Sequence, residues 1–162
     1  MRENLDPFSH YSDKEVWDAL EDVQLKHVVY AFEKKLEEPI SEGSSVFSVG
    51  QKQLVCLARA ILRKNKILVL DEATANVDMD TDALVQKTIK EKFKSCTVLT
   101  VAHRLDTIIE SDRILVLSHG MVVEYDPPHS LLLNEEGHFS GMVRATGKER
   151  AQALREAAFR AY

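Results

Sequence analysis

Two short apolar runs separated by a helix-length segment constrain this chain more than anything else in it. Residues 67–70 read ILVL and residues 97–101 read TVLTV, the second rich in β-branched side chains. Each run has the length of a strand and is too short for a buried helix. Between them, residues 80–94 carry Leu84, Ile89 and Phe93 roughly on one side of a helix. Strand, helix and strand in succession form the crossover that parallel pairing requires. Apolar runs without alternation predict strands covered on both faces. The class is therefore α/β with a parallel sheet core, preceded by an almost wholly helical section up to about residue 63.

Local signals divide the rest. Ser12 with Glu15 has capping-box spacing and opens a helix to about residue 23. A second helix over 24–33 places Leu25, Val28, Val29 and Phe32 on one face. Pro39 and Gly43 break the pattern, so 37–45 reads as a loop. Ser48 with Gln51 repeats the capping-box spacing and opens a helix over 49–63. A short helix over 105–109 follows the second strand. Residues 113–117 and 121–124, joined by Ser-His-Gly, read as a hairpin. Pro128 suits a helix start. Residues 148–162 form an alanine-rich amphipathic helix, and no repeat or low-complexity tract is present.

Composition excludes several function classes. A chain of 162 residues, 44% hydrophobic and 29% charged, is an ordinary globular domain. A net charge of −5 without a basic stripe argues against nucleic acid as a partner. Cys56 and Cys96 form neither a CxxC nor a zinc spacing and read as buried thiols in a reducing cytosol. No apolar run approaches the roughly 18 residues that cross a bilayer, and "MRENLDPFSHYS" lacks the apolar region of a signal peptide. A membrane process would be served from the water side.

Several residues suit phosphate chemistry. An apolar strand ending in Asp71-Glu72 places two carboxylates at the carboxyl edge of a sheet, where α/β folds bind ligands. One could hold a magnesium-bound water; the next could orient or deprotonate an attacking water. A solvated acidic turn is the alternative. Ser48, Val49 and Gly50 open a helix with no acidic residue in its first turn, which leaves N–H groups and the positive dipole end for an anion. Gly50 would let a phosphate approach the backbone, and the Ser48 hydroxyl could donate to it. Alternatively, Ser48 only caps the helix. His103, just past the second strand, could reach the same sheet edge and bond a phosphate or the attacking water, or be an ordinary loop residue. Residues 75–78, ANVD, read alone as a turn ending in a helix cap at Asp78.

Taken in order, these features resemble the nucleotide-binding domain of ABC transporters. "FSVGQ" is similar to the family signature, usually Leu-Ser-Gly-Gly-Gln; "ILVLDE" to Walker B with its catalytic glutamate; "ANVD" to the D-loop; and "VAHRL" to the switch histidine segment. "NLDPF" at residues 4–8 and the valine of Ser-Val-Gly-Gln resemble the second nucleotide-binding domain of the C subfamily, the multidrug-resistance-associated proteins. Phe47 for leucine and Lys52 after the signature glutamine are mild departures. The resemblance covers about 4–143 and implies a P-loop NTPase-like fold with a helical subdomain. It implies three parts: 1–63, the remainder of the helical subdomain with the signature helix; 64–145, the C-terminal part of the ATPase core; and 146–162, a helical tail. It implies catalytic roles for Glu72 and His103, magnesium through Asp71, and ATP contacts through Ser48, Val49, Gly50, Gln51 and Asp78. The implied partners are a second nucleotide-binding domain, paired head to tail, and transmembrane domains, at the cytoplasmic face of a membrane. The implied activity is ATP hydrolysis coupled to export.

A Walker A loop, G-x-x-x-x-G-K-[ST], is not found in the sequence. "GMVRATGKER" offers Gly147-Lys148, but Met142 stands where the first glycine belongs and Glu149 where the magnesium-binding hydroxyl belongs. Gly147 reads instead as the end of one helix before the tail helix. The expectation is a domain truncated at its N-terminus, whose P-loop and Q-loop would lie upstream, so that the chain by itself is inactive. Two other readings remain: a non-catalytic module that binds or regulates a partner transporter half, and a lobe of an SMC-like DNA-repair ATPase. The second would carry a heptad coiled coil before the signature, where "NLDPF" and a helical pair stand instead.

Overall fold

The computed structural model describes residues 1–41, 46–71 and 77–162. It divides into two compact units, 1–101 and 102–162. These units follow packing, whereas the three-part division read from the sequence follows motifs.

In the first unit, α1 (Arg2–Leu5), α2 (Asp13–Asp22), α3 (Lys26–Tyr30) and a 3-10 turn (Lys35–Glu37) precede α4 (Val49–Arg63). Then come β1 (Ile67–Asp71), α5 (Met79–Lys92) and β2 (Thr97–Val101). Both capping boxes form. The Glu15 amide donates to Ser12 Oγ at 3.3 Å, and the Ser12 amide donates to Glu15 Oε2 at 3.0 Å. Gln24 adopts a positive φ of 57°, which separates α2 from α3 and shortens the second predicted helix at its N-terminal end. Lys64, with φ 50° and ψ 35°, ends α4 in the left-handed conformation. The core lies where α2 meets α4: Val16, Leu20, Val23, Leu25 and Val29 are at most 1% exposed, against Leu54, Leu57, Ala58 and Leu62.

The "NLDPF" segment is pinned to this core. Asp6 is buried, which opposes its charge, but its carboxylate accepts the His10 and Tyr11 amides, both at 2.9 Å. Those two donors, with His10 and Arg2 nearby, hold the carboxyl below the ordinary carboxylate range. Asn4 is tied to α4 through Arg59, whose Nη2 donates to Asn4 Oδ1 at 3.2 Å and whose Nε donates to the Asn4 carbonyl.

β1 and β2 pair in parallel, with Ile67 opposite Thr97, Val69 opposite Leu99 and Asp71 opposite Val101. The predicted βαβ crossover is therefore present, but two-sided cover is not. Leu68 and Val98 pack against the helical core, whereas Ile67 (59%), Val69 (62%), Leu99 (54%) and Val101 (56%) are exposed. The expectation of strands covered on both faces is corrected: an apolar strand records the environment it needs, and α2, α4 and α5 supply one side of it. The cysteines are a second correction. Both are free, but Cys56 is exposed and Cys96 half-buried, because Cys56 falls outside the apolar stripe of α4.

The second unit holds α6 (Leu105–Ile108), a hairpin of β3 (Ile114–Ser118) and β4 (Met121–Asp126), then α7 (Pro128–Leu133), α8 (His138–Ala145) and α9 (Lys148–Ala161). His119 and Gly120 form the two-residue turn with φ 50° and 77°, the signs that a type I′ turn requires. Ile114 and Val116 face inward onto Leu131, Leu132, Phe139, Val143 and Leu154. Glu124 of β4 caps α8 from a distance in sequence: its carboxylate accepts the His138 amide at 2.9 Å and the Phe139 amide at 2.8 Å. It satisfies two first-turn donors and opposes the positive end of the helix dipole. Glu124→Ala is expected to destabilise this unit by about 1–2 kcal/mol, measured by denaturant unfolding, and Glu124→Gln by less, because the amide oxygen still accepts. Equal stability of all three proteins would show that α8 does not depend on this cap.

Candidate functional site

α4 begins at a turn that the core holds in place. Phe47 is buried and meets Phe32 edge to face, with ring centroids 5.8 Å apart. The buried Phe47 ring thus anchors the turn just before Ser48. Ser48 is the N-cap: its Oγ accepts the Gln51 amide at 3.1 Å, and Gln51 Oε1 accepts the Ser48 amide at 3.0 Å. Capping uses the hydroxyl as an acceptor and leaves its proton available to donate. Ser48 and Val49 are exposed and the first turn carries no acidic residue, so this end of a 15-residue helix faces solvent with its positive dipole end.

Gly50 is buried. A β-carbon there would stand 2.9 Å from Thr81 Cγ2, 3.1 Å from Thr81 Oγ1 and 3.3 Å from Thr81 Cβ. The sequence offered only phosphate approach as a reason for glycine; the structure supplies another, close packing of α4 on α5.

Asp78 is the N-cap of α5. Its Oδ1 accepts the Thr81 amide at 2.9 Å and its Oδ2 accepts the Thr81 hydroxyl at 2.8 Å. These two bonds hold its carboxyl below the ordinary range, outweighing burial. Thr81 was not singled out from the sequence. The Asp-x-x-Thr spacing, a capping pattern, was the available signal.

Asp71 is the last residue of β1 and is exposed. Its register partner Val101 ends β2, so both strands finish at one edge. His103 follows two residues later, in the second unit, and is exposed. Glu72 and the first two residues of ANVD lie outside the described residues. Thus the structure brings Ser48, Val49, Gly50, Gln51 and Asp78 to the first turns of two touching helices, and Asp71 to a strand end. The "GMVRATGKER" stretch is α8, Gly147 with φ 93°, and α9: a helix–turn–helix with no strand before it. Among the described residues no group of three His, Cys, Asp or Glu is arranged to hold a metal ion, and no helix is long and apolar enough to cross a membrane.

The family model "ABC transporter" matches residues 1–75, a span that includes Ser48–Gln51 and the Asp71-Glu72 pair of the sequence. ATP-binding cassette sub-family C member 4 of Homo sapiens is 57% identical over 162 residues, all of this chain and 12% of that protein. The probable multidrug resistance-associated protein lethal(2)03659 of Drosophila melanogaster is 54% identical over 155 residues, 95% of this chain and 11% of that protein. ABC transporter C family member 12 of Dictyostelium discoideum is 51% identical over 158 residues, 98% of this chain and 12% of that protein. The chain therefore spans about an eighth of the length of these relatives. The mixed α/β architecture is that of a P-loop NTPase. On the family match and on whole-chain identity above one half, this chain belongs to the ABC transporter family, among the C-subfamily, multidrug-resistance-associated members.

Proposed function

We propose that these residues form part of the ATP-binding and ATP-hydrolysing domain of an ABC-type exporter, most similar to a second nucleotide-binding domain of the C subfamily. The carrying observation is the exposed N-terminus of α4, capped by a neutral serine, free of acidic residues and set beside the N-terminus of α5. An uncompensated helix N-terminus presents positive potential and free N–H groups. Asp78, Asp80 and Asp82 offset that of α5, whereas no acidic residue in the first turn offsets that of α4.

In this reading Ser48, Val49, Gly50 and Gln51 face the phosphates of an ATP held by a second nucleotide-binding domain, paired head to tail. Ser48 donates its hydroxyl proton, and the first amides of α4 line the same end. Asp71 fits magnesium, because that ion takes one or two carboxylates and completes its shell with water and phosphate oxygens. When bound, magnesium would neutralise charge on the phosphates. Glu72 orients the attacking water and accepts its proton, and His103 bonds the γ-phosphate or that water. Hydrolysis reopens the paired domains and resets the transmembrane domains, on the cytoplasmic face of the membrane.

Ser48→Asp tests the nucleotide-facing role without removing the cap, since aspartate and asparagine cap as well as serine. In the full-length protein, Ser48→Asp is expected to lower ATP turnover about 100-fold, roughly 2.7 kcal/mol, by placing a carboxylate against the phosphates. The melting midpoint should hold in both Ser48→Asp and the control Ser48→Asn. Wild-type turnover in Ser48→Asp would mean that this helix end does not face nucleotide.

A further inference from the structure

We propose that Thr81 is a positioning residue that locks the signature turn to the D-loop aspartate, so that Gly50, Thr81 and Asp78 move as one piece. This rests on the nucleotide-binding reading given above and adds a residue to it.

Thr81 makes two kinds of contact at once. Toward α4 it fills the space that a Gly50 side chain would need, its Cγ2 lying 2.9 Å from where a β-carbon would sit. Toward its own helix start, its amide and hydroxyl both bond the Asp78 carboxylate. A threonine is stiff about χ1. Turning the methyl away from α4 would also swing Oγ1 out of its 2.8 Å bond to Asp78. Nor can Thr81 Cβ retreat without moving the first turn of α5, because its amide is held by Asp78 Oδ1 at 2.9 Å. Any displacement of the α4 N-terminus toward α5 is therefore passed through a rigid side chain to Asp78. Conversely, a pull on Asp78 reaches Gly50 and the turn that carries Ser48.

A close approach of this kind gives the substitution at Gly50 a definite sign. Glycine to alanine inside a helix ordinarily stabilises, because glycine loses more backbone entropy on folding. Here the added carbon meets an atom that cannot step aside, and overpacking outweighs that gain.

The test is a cycle in the full-length protein: wild type, Gly50→Ala, Thr81→Ser, and both together, with Thr81→Val alongside. Serine keeps the hydroxyl bond to Asp78 and removes the nearest atom. Gly50→Ala is expected to lower the melting midpoint by about 3 °C and ATP turnover about tenfold. In the Thr81→Ser background, where Oγ and Cβ still stand 3.1 and 3.3 Å from the added carbon, the same substitution should lower the midpoint by clearly less than in the wild-type background. Thr81→Val, which keeps the shape and loses the hydroxyl, should reduce kcat without raising KM for ATP. A higher midpoint for Gly50→Ala than for wild type, or equal losses in both backgrounds, overturns the lock. So does full kcat in Thr81→Val, because Asp78 would then not depend on the hydroxyl. The melting cycle judges the contact independently of ATP chemistry; a wild-type protein without turnover would overturn the functional reading instead.

Discussion

Phosphate release from the isolated 162-residue chain is expected to stay at background with ATP and magnesium present. Phosphoryl transfer depends on positioning and charge neutralisation more than on covalent help from the protein. Glu72 can orient a water usefully only if a γ-phosphate is already fixed in front of it. Within these 162 residues no G-x-x-x-x-G-K-[ST] sequence supplies an N–H cradle and lysine, and the one approximate match, 141–150, folds as two helices and a turn. Three charge-assisted hydrogen bonds at about 2 kcal/mol each amount to about 6 kcal/mol, roughly four powers of ten in affinity. The same residues within a longer protein that carries a P-loop should turn over ATP, and Glu72→Gln should remove nearly all of that activity, because it keeps the shape and deletes the basic oxygen. Steady-state phosphate release from the three proteins decides the matter. Magnesium-dependent turnover by the isolated chain, abolished by Glu72→Gln, would mean that another segment holds the phosphates.

The second large effect concerns the open face of the β1–β2 sheet. Ile67, Val69, Leu99 and Val101 present contiguous apolar surface, and among the described residues each strand has one edge without a strand partner. Burying four half-exposed side chains is worth about 1 kcal/mol each, which alone does not offset the cost of association. Main-chain bonding at the open edges adds to it and makes the contact open-ended. The isolated chain is therefore expected to form heterogeneous oligomers as its concentration rises, measured by light scattering or sedimentation. Val69→Lys with Val101→Lys should suppress them, since both side chains already point outward and a charge there is solvated. A monodisperse monomer with one sharp, concentration-independent melt would contradict the prediction.

What the sequence determined by itself is local. The starts of α2 and α4, the βαβ order, the hairpin turn at His119-Gly120, the helix start at Pro128 and the break at Gly147 were all legible. Each depends on residues within about four positions: a cap reaching its third amide, a positive φ, a missing N–H. The ordering from Ser48 through Asp71 and Asp78 to His103 likewise needs only succession along the chain, which is why the family resemblance could be seen before any geometry. Tertiary structure decided whatever joins distant residues. An apolar strand does not by itself state how many of its faces will be covered, so which side chains of β1 and β2 stay exposed, Val69 and Leu99 among them, came only from the structure. Glu124 reads as an ordinary strand residue until α8 is folded above it, fourteen positions on. Asn4 and Arg59 carry no mutual signal across 55 residues. Gly50 shows most clearly where the division falls. Its sequence neighbours suggest only a phosphate, whereas the β-carbon it lacks would collide with Thr81, a residue 31 positions away whose side chain is fixed by the cap at Asp78. Capping chemistry acts along the chain and can be read there; steric exclusion acts through space and appears only once two helices have been brought together.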